Sequence, residues 1–427
     1  MKTKFLLLTL FVSLLGFTYA CKDENLLDEP AGFKQYSNQI ILDWNLAAFE
    51  AMGGASYQHS LLAARINAMV HIAMHDALNA IAGRYQTYAL TEKNNDADPI
   101  AAAVSAAYEV LVASFPDQKA MLDGRLAESL AQVAEGKRKT DGIALGKKAA
   151  QLILNQRQND GALSDPIGAI EPSTVPGVYQ AVPPFAFVFA PHWKTMQPFG
   201  MQKPEQFRME AFPALNSAAY TTAFNEVKAI GQKNSSTRSA EQTGIAKFWY
   251  EFSEIGWNRV TRTVAKDRKL GLLNSARLFA LVNIAMVDAY TAGWDAKFHH
   301  NFWRPYTAIR NAENDGNPNT TADVQWEPSE VTPPVQDFPS THSALGNAAA
   351  GVLAGVLGDK VTFTMSSLTG VAPYQSRTFT SFSQAANENA ESRVLAGIHF
   401  RFSCEKGQEL GNKIGKWVLE NSLKANN

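Results

Sequence analysis

Apolar residues recur along most of this chain at the three- and four-residue spacing of helices packed on one side. The runs 70–82 and 101–115, rich in alanine and long apolar side chains, predict buried helices. Residues 117–157 continue with strong helix formers interrupted by Gly136, Gly142 and Gly146, and 344–357 predicts one more buried helix. The alternation and Asn-Gly turns of an extensive β-sheet are missing from the pattern, which therefore predicts an all-α protein of helical bundles. Segment 164–212 departs from it. Eight prolines and the aromatics Tyr179, Phe185, Phe187, Phe189, Trp193 and Phe199 oppose helix and disorder alike. Such a connection packs over a core or a site mouth.

One stretch occurs twice. Ala64-Arg65-Ile66 through Val70-x-Ile72-Ala73-Met74-x-Asp76-Ala77 returns as Ala276-Arg277-Leu278 through Val282-x-Ile284-Ala285-Met286-x-Asp288-Ala289. Arginine and aspartate stand eleven apart in both copies, about three helical turns, so they share a face. Two related helical halves would repeat in this way; two alanine-rich helices alike in composition would too. The boundaries expected are a signal peptide at 1–20, a tether at 21–40, an N-terminal bundle at 41–163, the aromatic connection at 164–240 and a second bundle, carrying the chemistry, at 241–425.

Composition narrows the partners. The 427 residues are 46% hydrophobic and 19% charged, with a net charge of −1. No basic field for nucleic acid or an anionic membrane exists, so any bound anion must be held by a few placed cations. Lys2 and Lys4 precede an apolar run too short to span a bilayer, and Ala20-Cys21 with an acidic stretch follows. This resembles a bacterial lipoprotein signal with Cys21 as the lipidated residue, although Thr18 and Tyr19 leave ordinary cleavage open. Export is expected, to the outer membrane or cell surface if anchored and to the periplasm otherwise, with membrane contact only through the lipid. Cys404 is the one other cysteine. It suits a small buried side chain.

Three segments carry the candidate chemistry. In Lys297-Phe298-His299-His300-Asn301-Phe302-Trp303-Arg304-Pro305, lysine and arginine lie near one helix face, about 10 Å apart along it, and Pro305 ends the helix near Arg304. The guanidinium can then fold back towards the lysine, a point charge and a fork suited to one oxyanion. In Phe338-Pro339-Ser340-Thr341-His342-Ser343, Ser340 or Thr341 would cap the following helix, leaving amide donors and a favourable dipole at its start. His342 stands where it can exchange a proton with a bound oxygen. In Ser392-Arg393-Val394-Leu395-Ala396-Gly397-Ile398-His399, a regular helix would put Arg393 and His399 on different sides, and Gly397 permits a close backbone approach. Taken singly, each segment reads equally well as a solvated basic pair, a well-made cap or a structural Arg and His.

In this order the three segments resemble the signature of the type 2 phosphatidic acid phosphatase superfamily. The stretch from Phe302 to Ile309 and the long helical N-terminal half are similar to its vanadium-dependent haloperoxidase branch. The resemblance implies that Lys297, Arg304 and Arg393 neutralise the oxygens of an oxyanion, that Ser340 and the Thr341 backbone N–H donate to it, and that His342 is the acid–base group. It implies that His399 binds vanadium of a vanadate cofactor, or attacks phosphorus in a phosphatase with no cofactor. Substrates would be hydrogen peroxide and a halide, or a small phosphoester. Three departures stand out. Thr341 replaces the usual glycine and adds a methyl and a hydroxyl to the pocket, Ser403 stands where several relatives carry aspartate, and no carboxylate is identified to orient His342, for which Glu251, Asp288 and Asp295 are candidates. Two further readings stay open: a surface lipoprotein that binds a ligand without catalysis, and a divalent metal site at His71 and His75 with His299-His300, against core histidines.

Overall fold

The long apolar runs of the sequence become the central helices, because alanine-rich faces let helix axes approach closely. The computed structural model describes residues 27–54 and 59–426; the signal-like run and Cys21 lie outside them. In chain order the helices are α1 (Gln39–Ala51), α2 (Ser60–Ala82), α3 (Pro99–Ser114), α4 (Lys119–Leu130), α5 (Lys137–Arg157), α6 (Ala218–Ile230) and α7 (Ala240–Phe248). They continue as α8 (Ser253–Asp267), α9 (Leu272–His300), α10 (Pro305–Arg310), α11 (Thr341–Leu357), α12 (Phe382–Leu395) and α13 (Arg401–Asn421). Among the described residues, paired strands form two small antiparallel ladders, β1 (Ile167–Gly168) with β2 (Val188–Phe189) and β3 (Phe363–Ser366) with β4 (Ser376–Phe379), beside isolated bridges. The fold is all-α, as the periodicity predicts. By length and composition α9 could cross a membrane, but 94% of its apolar window is buried among other helices. It is a core helix.

The repeated stretch lies on α2 and α9, which pack together, and its aspartates do the same work in each half. Asp76 accepts the backbone N–H groups of Tyr88, Ala89 and Leu90 at 2.6–2.9 Å. Asp288 accepts those of Phe199, Gly200 and Met201 at 2.6–2.7 Å. Each carboxylate therefore satisfies three amides of an incoming loop that would otherwise be buried without partners. Burial raises both to about 6 against the lowering effect of those amides.

Glycines set the next layer. A Cβ on Gly142 or Gly146 would lie 2.6 Å from the Asp98 carbonyl oxygen or 2.3 Å from that of Ala102, so α5 lies directly on α3. Gly407 and Gly411 of α13 meet the Ser340 and Ala344 carbonyl oxygens of α11 in the same manner. The N-caps match as well: Asp98 N–H donates to Arg138 O and Ser340 N–H to Ser403 O, both at 2.9 Å. Of the three glycines expected to interrupt 117–157, only Gly136 (φ +141°) does so, at the start of α5. Gly142 and Gly146 are inside the helix, where their missing side chains admit α3.

The Pro- and aromatic-rich connection forms a wall. Val178 bridges Phe302, the Tyr179 N–H donates to Asn301 O at 2.9 Å, and the Trp303 N–H donates to Gly177 O at 2.9 Å. It thus packs on the segment that carries Arg304.

Candidate active site

Aromatic side chains next to each motif draw the three segments together. Phe302 stands two before Arg304, Phe338 two before Ser340 and Phe400 one after His399. The Phe302 ring lies 5.8 Å from both Phe400 and Phe402, and Phe338 lies 6.2 Å from Phe402. Phe212, from the aromatic connection, stacks over Phe302 at 3.8 Å. Burying one shared cluster brings the polar neighbours of these rings together.

Lys297 lies in the last turn of α9, completely buried, its ammonium donating to the carbonyls of Gln336 at 2.6 Å and Asp337 at 3.1 Å. The helix ends at His300, with Asn301 in the left-handed conformation, earlier than the expected end near Arg304. Arg304 is therefore not on the lysine's helix. It is extended and caps α10, where Pro305 fills the first turn. Its guanidinium donates to Val335 O and Ile398 O at 2.7 Å each, and one of its nitrogens lies 3.0 Å from His399 Nε2. Arg393 sits in the last turn of α12 and donates to Trp249 O at 2.7 Å, leaving its buried Nε without a partner. Helix α12 stops at Leu395, and Gly397 (φ +77°) turns the chain so that His399 lies beyond it, not across one regular helix from Arg393. The turn needs glycine twice over, since a Cβ there would also fall 2.2 Å from Gly231 O.

Ser340 is the N-cap of α11. Its hydroxyl oxygen accepts the Ser343 N–H at 3.4 Å and the Ser343 hydroxyl at 3.0 Å, which leaves its own proton free to donate elsewhere. Thr341 opens the helix, and its methyl packs where Gly293 of α9 has no side chain, a Cβ there falling 2.3 Å from it. The extra methyl is housed against α9 and does not crowd the pocket. His342 Nε2 lies 3.2 Å from the Glu251 backbone oxygen, and His342 is the one member of the group left partly open to solvent.

The carboxylate that the sequence left unassigned is Asp337, fully buried. Its Oδ1 lies 2.8 Å from His399 Nδ1 and 3.9 Å from Arg304, and its Oδ2 accepts the Ser403 hydroxyl. It stands beside His399, not His342. The three carboxylates considered for His342 are engaged elsewhere: Glu251 with Arg259, Asp288 with its loop amides, Asp295 with Arg208. Asp337 immediately precedes the Phe-Pro-Ser motif, and that adjacency was the one signal available in the sequence.

Asp337 and Arg304 together define the chemistry of His399. A carboxylate beside Nδ1 favours the tautomer protonated there, so Nε2 keeps a lone pair facing Arg304. Burial, then the charges of Arg304, Lys297 and Arg393, hold His399 well below the ordinary imidazole range, so it is neutral. Burial followed by Arg393 does the same to His342. Burial also lowers Lys297 and takes Arg393 down to about 10, whereas it raises Asp337 to about 6 against the pull of Arg304. Arg304 meets the His399 ring and Lys297 meets the Asp337 carbonyl directly, and the charge of Arg393 acts on both His342 and His399. Three buried cations there face one buried carboxylate. The surplus positive charge, with the Ser340 hydroxyl and the start of α11, suits a multiply charged oxyanion.

The histidines considered for a divalent metal lie apart from this pocket. His71, lowered to about 3 by burial, meets the Asn45 amide at 2.7 Å and stacks on Phe279; His75, also about 3, lies 3.2 Å from Gln86 O. Among the described residues no group of three or more His, Cys, Asp or Glu is placed to hold a metal ion.

Residues 277–427 match the family model of the VCPO second helical-bundle domain. The sequence is 26% identical to vanadium chloroperoxidase of Curvularia inaequalis over 90% of this chain and 81% of that relative. A bacterial vanadium-dependent iodoperoxidase of known structure superposes with a TM-score of 0.77 at 26% identity, covering 94% of this chain and 99% of its own. A bacterial vanadium-dependent chloroperoxidase in its apo form gives 0.70 at 16% identity over 85% and 94% of the two chains, a likeness of fold. In fold and in the order of its motifs the chain is similar to the vanadium haloperoxidases, and these relatives are enzymes.

Proposed function

We propose that this chain holds vanadate in the pocket around His399 and uses it to oxidise a halide with hydrogen peroxide. The observation that carries the reading is the convergence of three buried cations on a neutral imidazole whose Nδ1 side is held by Asp337. When bound, vanadate supplies a Lewis acid that activates peroxide at neutral pH. Lys297, Arg304 and Arg393 neutralise the charge of the bound oxyanion, the Ser340 hydroxyl and the Thr341 N–H donate to it, and His399 Nε2 offers its lone pair as the protein ligand. His342, neutral and at the solvent-facing edge, is placed to take and return a proton.

The same donors would stabilise a phosphoryl group in flight, and a neutral His399 is also a competent nucleophile. One pair of assays decides between the chemistries. Vanadate-loaded protein is expected to turn over iodide or bromide with peroxide, and His399→Ala to lose that turnover. Steady hydrolysis of a phosphomonoester with no halide oxidation would replace the peroxidase reading by the phosphatase one. Equal activity of His399→Ala and parent in both assays would leave only ligand binding.

A further inference from the structure

A second cavity lies between α1, α2 and α8, and none of its lining residues belongs to the oxyanion pocket. Its volume is about 180 Å³. The mouth is apolar, with Leu46 40% and Leu368 48% exposed at its rim and Phe49 and Met52 deeper in. The inner wall is different. Arg262 lines it and donates to the amide oxygen of Asn45, and among the described residues no carboxylate stands within ion-pair distance of its guanidinium. Its neighbour Arg259 is fully engaged by Glu251 at 2.8 Å and the Ser366 carbonyl at 2.6 Å. Asn45 cannot neutralise Arg262, because an amide carries no charge; its oxygen accepts from the guanidinium while its NH2 is committed to His71 and Asn258.

Glu254, eight residues before Arg262 on the same helix, also lines the cavity and is 1% exposed. One of its oxygens accepts the Tyr290 hydroxyl at 2.9 Å, and the other has no hydrogen-bond partner. Burial raises this carboxyl to about 8, so at neutral pH it is an acid whose free oxygen can carry the proton. The wall therefore presents one uncompensated positive charge next to apolar side chains. A cation would be repelled, and a neutral apolar guest would leave the guanidinium unserved. A halide alone would leave most of the space and the apolar mouth unfilled.

We infer that this cavity is a binding site for a small monocarboxylate with an apolar body, its carboxylate against Arg262 and its body between Phe49, Leu46 and Leu368. An apolar cavity of about 150 Å³ accepts a benzene ring, so an aromatic carboxylate is of the right size.

Benzoate is the probe, with benzamide as its uncharged isostere, and binding is followed by calorimetry on the full protein. Benzoate is expected to bind saturably, and benzamide about tenfold more weakly or worse, since a charge-assisted bond is lost. Arg262→Gln should weaken benzoate by a similar factor, and Leu46→Trp, a change at the exposed rim, should block it by filling the mouth. Both variants should keep the parent's affinity for inorganic phosphate, which reports the oxyanion pocket and confirms folding. Four outcomes would overturn the inference: no saturable benzoate binding, equal binding of benzamide, unchanged benzoate affinity in Leu46→Trp, or displacement of benzoate by inorganic phosphate. The last would place the benzoate in the oxyanion pocket without touching the reading of that pocket itself.

Discussion

Arg304 and Arg393 are buried guanidinium groups with different second duties. Arg304 also ties the carbonyls of Val335 and Ile398, so its loss loosens two strands of chain as well as the pocket, whereas Arg393 donates to one carbonyl, Trp249 O, and lies over the Tyr250 ring. Arg393→Ala is accordingly the cleaner probe. Removing its charge-assisted contact to a bound oxyanion should cost about 1.5–3 kcal/mol, roughly a ten- to hundredfold loss of vanadate or phosphate affinity by titration. Arg304→Ala should lose at least as much affinity and also lower Tm. Asp337 touches no substrate and acts through His399, so it is a positioning residue. Asp337→Asn should reduce activity about ten- to hundredfold. Burial lifts Asp337 to about 6, and protonation there removes the negative charge beside His399 Nδ1. The parent should therefore lose activity as pH falls through about 6, and the Asn variant should lack that limb. An unchanged pH profile would assign Asp337 a purely structural role.

At the scale of elements, the approach of α13 to α11 decides whether Ser340 and Ser403 meet. Gly411 permits it: an added Cβ would fall 2.2 Å from Ala344 O, a backbone atom that cannot swing aside. Gly411→Ala should therefore destabilise by about 1–3 kcal/mol, seen in denaturant unfolding. Gly351, whose Cβ would come no closer than 3.8 Å to Gly415, provides the control. Gly351→Ala is expected to be neutral or to stabilise by up to about 1 kcal/mol, because alanine is the better helix former. The sequence showed Gly142 and Gly146, which admit α3 in the same way, only as interruptions, since a helix-weakening residue and a packing notch look the same until a neighbouring helix is known. Thr341 carries the same lesson. Its methyl looked like crowding at the site and proves to fill the notch left by Gly293.

Across the whole molecule, the two halves share a plan and differ in charge. Where the second half caps α11 with Ser340, the first caps α3 with Asp98, whose side chain accepts the Ala101 N–H. A carboxylate at that position repels an oxyanion, so the helix start proposed to hold the oxyanion in one half suits capping alone in the other. Buried carboxyls also shape global stability. Glu254, raised by burial from an ordinary 4.5 to about 8, contributes stability that is complete below about pH 4.5 and is lost as pH rises through about 8. The parent's Tm should thus fall between about pH 4.5 and 8, and Glu254→Gln, which can still accept the Tyr290 hydroxyl, should show a smaller fall. Parallel curves for the two proteins would mean that Glu254 ionises freely.

The all-α class and the repeat could be read along the chain, because periodicity is a local property, and the seven candidates Lys297, Arg304, Ser340, Thr341, His342, Arg393 and His399 were named by the resemblance of three short motifs, in their order, to a known superfamily. Which groups face one another could not be read in this way. The end of α9 at His300, the break at Gly397 and the pairing of Asp337 with His399 depend on aromatic side chains from four separate segments burying one another, and no window of sequence contains that contact. Tertiary packing likewise left Arg262 without a counter-charge and Glu254 with a bare oxygen, since the energy of a buried charge is set by neighbours that arrive from elsewhere in the chain.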